Sequence, residues 1–151
     1  MISLELARRL RDNGVQWSPA SGDRFVVADR DMDNDVFVLS DMTVEVHRFP
    51  YGEVIGFNGT TEWALDSIDQ KHSVWLPSET QLRRLLGRTF QSLEQVADEW
   101  RVTIKVGGRT TSVQDADADE AYGLALLHLV TGEPVAAASG PGAARLGADQ
   151  P

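Results

Sequence analysis

Four aspartates stand at alternate positions in the stretch DRDMDNDVFVLSDM: Asp29, Asp31, Asp33 and Asp35. Hard divalent cations take oxygen ligands of this kind. An EF-hand loop alternates them, puts glycine at its sharp turn and closes on a bidentate glutamate. Counted from Asp29, Asn34 falls where the glycine belongs and Ser40 where the glutamate belongs. The match is partial, and the residues that follow pattern as strand, not helix. The leading reading is an acidic turn closed locally by Asp and Asn side chains. The alternative is a weak calcium or magnesium site. His47, beside Glu45 on the polar side of TVEVHRF, is a further candidate metal or catalytic residue.

Other chemistries find less support. His47, His72 and His128 are far apart, and none forms a helical HxxxH pair. No GxSxG elbow, GxxxxGK[ST] loop or GxGxxG fingerprint occurs, which argues against a nucleophile elbow and against a P-loop or Rossmann site. Gly107-Gly108 sits between two strand patterns, not before a helix. GFNGTTEW, Gly56 to Trp63, could present backbone N–H groups to an anion, but its glycines and Thr60 also suit a plain turn and cap. DADADE, Asp115 to Glu120, fits a helix start: Asp117 with Glu120 resembles a capping box, and carboxylates there meet the positive end of the helix dipole. The four tryptophans, Trp17, Trp63, Trp75 and Trp100, suit a core. Trp63 and Trp75 are also candidates for a partner surface, where tryptophan is enriched.

The elements that would position these residues follow from periodicity. Ser3 caps a first helix with Leu4, Leu6, Ala7 and Leu10 apolar and Asn13-Gly14 as the stop. RFVVA, VFVL, TVEVHRF and EVIGF read as an antiparallel meander, VFVL central because it is apolar on both faces. Ser40-Asp41 and Tyr51-Gly52 are its turns. Thr60 is the expected cap of a short helix through Trp63, Ala64, Leu65 and Ile68. Ser78 and Gln81 form a capping box for a helix with Leu82, Leu85 and Leu86 inward, ended by Gly87. Residues 89–98 extend the helical pattern, with Phe90, Leu93, Val96 and Ala97 inward. WRVTIKVGGRTTSVQ is a hairpin turning at Gly107-Gly108, pairing Val106 with Arg109, Ile104 with Thr111 and Val102 with Val113. The helix from Ala118 to Thr131 covers it through Tyr122, Ala125, Leu126 and Leu129.

This gives an α+β fold: an antiparallel meander and a C-terminal β-hairpin packed by helices. Residues 1–132 form one domain, divisible into subdomains 1–76 and 77–132. Residues 133–151, small and rich in Gly and Pro, are expected to be a flexible tail.

The chain has 151 residues and no cysteine, so disulfides, thiolate nucleophiles and Cys-ligated metal centres are excluded. No apolar run reaches the roughly 20 residues of a spanning helix, and MISLELARRLRDNG lacks the order of a secretory signal. A cytoplasmic protein without membrane insertion is expected. The formal charge of −9 would repel a phosphate backbone, so nucleic acid is not an expected partner.

The blocks DRDMDNDVFVLSDM, GFNGTTEWALDS and WLPSETQLRRLLG resemble a group of small, mostly actinobacterial proteins of unknown function that often carry a pilus-assembly label of the CpaE type. The resemblance spans about residues 1 to 132 and implies a role in pilus or secretion assembly. It brings no catalytic residues with it. The C-terminal half is also similar, more weakly, to small phage and prophage proteins.

With no convergent catalytic set, the sequence points to a non-enzymatic protein that acts by protein–protein contact, a homodimer being one form, and with no cofactor. The alternative is a divalent-metal-dependent enzyme or ligand-binding protein using the Asp29–Asp35 turn, or His47 with nearby carboxylates.

Overall fold

The computed structural model describes residues 1–27, 35–40, 45–50, 52–56, 67–69, 72–134 and 146–147; for 45–49, 52–56, 67–69 and 146–147 it describes the backbone. The chain runs α1 (Leu4–Asp12), β1 (Arg24–Val27), β2 (Val36–Val38), β3 (Glu45–Phe49), β4 (Gly52–Gly56), β5 (Ser67–Asp69), β6 (Ser73–Leu76), α2 (Glu79–Leu86), β7 (Phe90–Val96), β8 (Glu99–Val106), β9 (Arg109–Asp115), α3 (Ala118–Thr131) and β10 (Leu146–Gly147). The class is α+β. Two compact units result: Met1–Val15 with Pro77–Pro151, and Gln16–Leu76. The expected division into 1–76 and 77–132 therefore misplaces the first helix. Leu6, Ala7 and Leu10 of α1 are buried, and α1 packs on α3.

In the first unit, α3 lies on an antiparallel sheet of order β10-β9-β8-β7, and α1 and α2 pack on α3. The sequence pattern gives α3 one buried stripe. In fact every residue from Ala121 to Leu127 is buried, because a helix apolar all round must be enclosed all round. Gly123 lets α1 approach closely: a Cβ there would stand 2.7 Å from Leu6 Cδ2 and 3.0 Å from Ile2 Cδ1. The Ser78–Gln81 capping box of α2 is present, with Leu82 and Leu86 buried and Leu85 exposed.

The helical pattern over 89–98 is overturned. Thr89 Oγ1 donates to the Leu86 carbonyl at 2.7 Å, and a single 3₁₀ turn, Gly87–Thr89, ends the helix. Strand β7 follows. Its register shifts between Phe90 and Ser92, so Phe90 opposes Ile104 and Leu93 opposes Val102. The bulge puts two residues three apart on one sheet face, which mimics helical spacing. The β8–β9 hairpin has the expected register, with Gly107 and Gly108 at φ 56° and 81°. Val102, Ile104 and Val113 are fully buried beneath α3. Each such side chain contributes about 1.5–3 kcal/mol relative to exposure.

In the second unit the expected meander is two separate three-stranded antiparallel sheets, β2-β1-β6 and β3-β4-β5. VFVL is not central. β1 holds the middle, with Phe25, Val26 and Val27 buried, while Val36 and Val38 of β2 are exposed on the sheet edge. Of the expected Tyr51-Gly52 turn, Gly52 is the first residue of β4 and opposes Phe49, and Tyr51 lies outside the described residues. Ile68, expected on a helix, lies in β5 opposite Ile55. The start of that helix, Thr60 with Trp63, lies outside the described residues, as does Asp41 of the other expected turn. Of the expected flexible tail, Leu146 and Gly147 pair with Val113 and Ser112 of β9; residues 135–145 and 148–151 also lie outside the described set.

Candidate functional site

Of the acidic turn, Asp35 is exposed immediately before β2, and Asp29, Asp31 and Asp33 lie outside the described residues, as does Trp63. His47 sits in β3 opposite Val54. His72 is exposed just before β6, while His128 near the end of α3 places Nδ1 2.8 Å from the Glu133 carbonyl oxygen. Among the described residues no three His, Asp or Glu side chains are grouped as a metal ion needs.

Trp75, the other candidate for a partner surface, is half-buried in an aromatic cluster of the second unit. Its ring is parallel to that of Trp17, with centroids 6.4 Å apart, and Trp17 and Phe37 each lie 5.6 Å from Phe25. The register places Phe25, Phe37 and Trp75 side by side across β1, β2 and β6. Beneath the cluster is Asp23, 3% exposed. Its carboxylate accepts from Trp17 Nε1 at 2.8 Å and from the Ala20 amide at 2.9 Å. Its backbone is held by Leu39, whose amide donates to the Asp23 carbonyl at 2.9 Å. Trp75 Nε1 is buried without a hydrogen-bond partner among the described residues. The sequence pattern gives no sign of Asp23, since its role comes from a contact six residues back across a loop.

The second concentration of polar groups is at the start of α3. Asp117 caps the helix, accepting from the amides of Asp119 at 2.8 Å and Glu120 at 3.4 Å. The reciprocal half of the expected capping box is absent. Asp115 accepts the Asp117 amide at 2.9 Å, and Glu120 instead accepts from the Ser3 amide at the head of α1. The Met1 ammonium lies 2.9 Å from Asp117 Oδ2 and 3.2 Å from Asp119 Oδ2. Burial pushes the carboxyls of Asp115 and Glu120 up from their ordinary values, against the opposing pull of the amides they accept. Burial also pushes Asp117 up, but the ammonium and the helix amides outweigh it and hold this carboxyl below the usual range. The amine itself is raised by its bond to Asp117, against some burial. These carboxylates cap α3 and tie α1 to it, as backbone and charge partners rather than as a free acid–base pair.

The sheet face away from α3 is polar. Thr103 Oγ1 and Ser112 Oγ are 2.9 Å apart. With its amide turned to satisfy both neighbours, Gln114 donates to Glu99 at 3.2 Å and accepts from Arg101 at 2.6 Å. No helix among the described residues is long and apolar enough to cross a membrane. No family model, curated protein or solved structure matches the chain.

Proposed function

We propose that this chain works by binding other proteins, a second copy of itself included, and not by catalysis. The observation that supports this most is the edge strand β2, where Val36 is 42% and Val38 62% exposed. A sheet edge lined by β-branched apolar side chains invites another chain, and soluble proteins usually blunt such edges with charge or proline. The polar clusters add support, because their groups serve caps, the tie between two helices and a buried indole. The resemblance to proteins labelled for pilus assembly suggests the setting: an accessory in pilus or secretion assembly, working in the cytoplasm. Affinity capture with the tagged full chain tests the reading, with Val38→Lys as the edge variant. A specific partner protein retained by the wild type and lost from Val38→Lys is the expected result. A wild-type chain that captures nothing and runs as a strict monomer overturns it.

A further inference from the structure

The outermost strands of the sheet in the first unit are β7 and the two-residue β10, which pairs with only part of β9 among the described residues. Strand β7 carries a bulge between Phe90 and Ser92, which disrupts pairing along an edge. Strand β9 has no register shift against β8 over its seven residues, Arg109–Asp115, and contains no proline. On its outer side the described residues supply only Leu146 opposite Val113 and Gly147 opposite Ser112.

The hairpin fixes which β9 groups face outward. Gly107-Gly108 is a two-residue turn closed by Val106 and Arg109, so the Arg109 amide points back to β8. Orientation alternates along a strand. Thr110, Ser112 and Gln114 therefore turn their N–H and C=O groups to the outer edge, and Ser112 is the midpoint of β9.

A strand whose outward groups are symmetric about its centre can pair antiparallel with itself across a two-fold axis. With Ser112 opposite Ser112 of a second copy, Thr110 opposes Gln114, Thr111 opposes Val113 and Arg109 opposes Asp115. Opposite charges directly across an antiparallel pair are favourable, and like charges are not. In this register both end pairs are Arg–Asp and no like charges meet. The polar row and the core row each continue into the other copy. We propose that the outer edge of β9 is a self-complementary interface, joining two copies into one continuous antiparallel sheet through about six ladder hydrogen bonds, and that β10 competes for the same edge. This rests on the reading of the chain as self-associating and names the surface it uses.

The absence of native cysteine makes the register directly testable in the full chain. Hydrogen-bonded antiparallel partners stand about 5.5 Å apart at Cα, inside the range a disulfide spans. Under mild oxidation, Ser112→Cys is expected to form a covalent dimer at least tenfold faster than Ser92→Cys, placed on the bulged edge strand. Arg109→Glu changes an exposed side chain. Thr110→Pro deletes an outward N–H and leaves the β8 ladder whole. Each is expected to raise the dimer dissociation constant about tenfold or more, and Gly147→Pro, which unseats β10, to lower it. A wild-type dimer in which Ser112→Cys links no faster than Ser92→Cys overturns the interface and leaves self-association standing. A Gly147→Pro dimer no tighter than wild type overturns the competition. A wild-type chain monomeric at every concentration overturns the interface and self-association together.

Discussion

Replacing Asp23 by alanine removes a buried carboxylate that serves as a hydrogen-bond acceptor. The Trp17 indole N–H and the Ala20 amide lie 2.8 and 2.9 Å from it, in a site where Asp23 is 3% exposed. A buried donor left without an acceptor costs about 1–3 kcal/mol. The indole bears the larger part, since Trp17 is buried in the aromatic cluster and the Ala20 amide only partly so. Relief of carboxylate desolvation offsets some of this. The expected loss is about 2–4 kcal/mol for Asp23→Ala and about 1 kcal/mol for Asp23→Asn, which keeps a neutral acceptor. Trp17→Phe keeps an aromatic ring and removes the donor. A double-mutant cycle of Asp23→Ala with Trp17→Phe should therefore show a coupling of about 1–3 kcal/mol. Urea denaturation followed by tryptophan fluorescence in a Trp100→Phe background, which leaves tryptophan only in Gln16–Leu76, reads the unit that contains the cluster. Additive single-mutant effects, or an Asp23→Ala loss below about 0.5 kcal/mol, would refute the reasoning, because surface changes fall in that range.

Ala97, the non-glycine residue at positive φ (54°) among those described, begins the β7–β8 turn. Ala97→Gly should raise stability by about 0.5–1 kcal/mol in urea midpoints, left-handed strain relieved less the glycine's chain entropy. Gly123→Val should cost about 2–3 kcal/mol by calorimetry, as its branches enter space held by Leu6 and Ile2; Gly123→Ala should cost less, because helix propensity returns about 1 kcal/mol. Acidification from neutrality should act in two stages. Asp115 and Glu120, raised in the folded chain, take up protons there first, so stability holds or rises. Asp117, held low, contributes stability that is whole above its unfolded value and lost as pH falls through its folded one. Urea midpoints measured across the acid range read both stages, and Glu120→Gln should flatten the first; a steady fall from neutrality, unchanged in that variant, contradicts the assignment.

What could be read from the sequence was what local chemistry alone decides. The β8–β9 register follows from alternation on both sides of Gly107-Gly108, and it stands pair for pair. The caps at Ser3, Ser78 and Asp117 follow from side chains that accept from the first turn of their own helix. What failed needed a distant partner. Strand β7 read as helix because a bulge spaced Phe90 and Leu93 by three. VFVL reads as central because its composition cannot reveal that β6 takes the other side of β1 and leaves β2 at the edge. The sequence alone groups α1 with residues 16–76 because nothing local ties it to Gly123 and Glu120, more than a hundred residues on. Asp23 carries no local signal for a similar reason: its indole partner sits across a loop.

Sedimentation equilibrium of the full chain over a hundredfold concentration range tests contact with a second copy most directly. Reversible association is expected, with the mass rising from 16.6 kDa toward twice that value and falling back in Arg109→Glu. A mass fixed at 16.6 kDa across the whole range would contradict it.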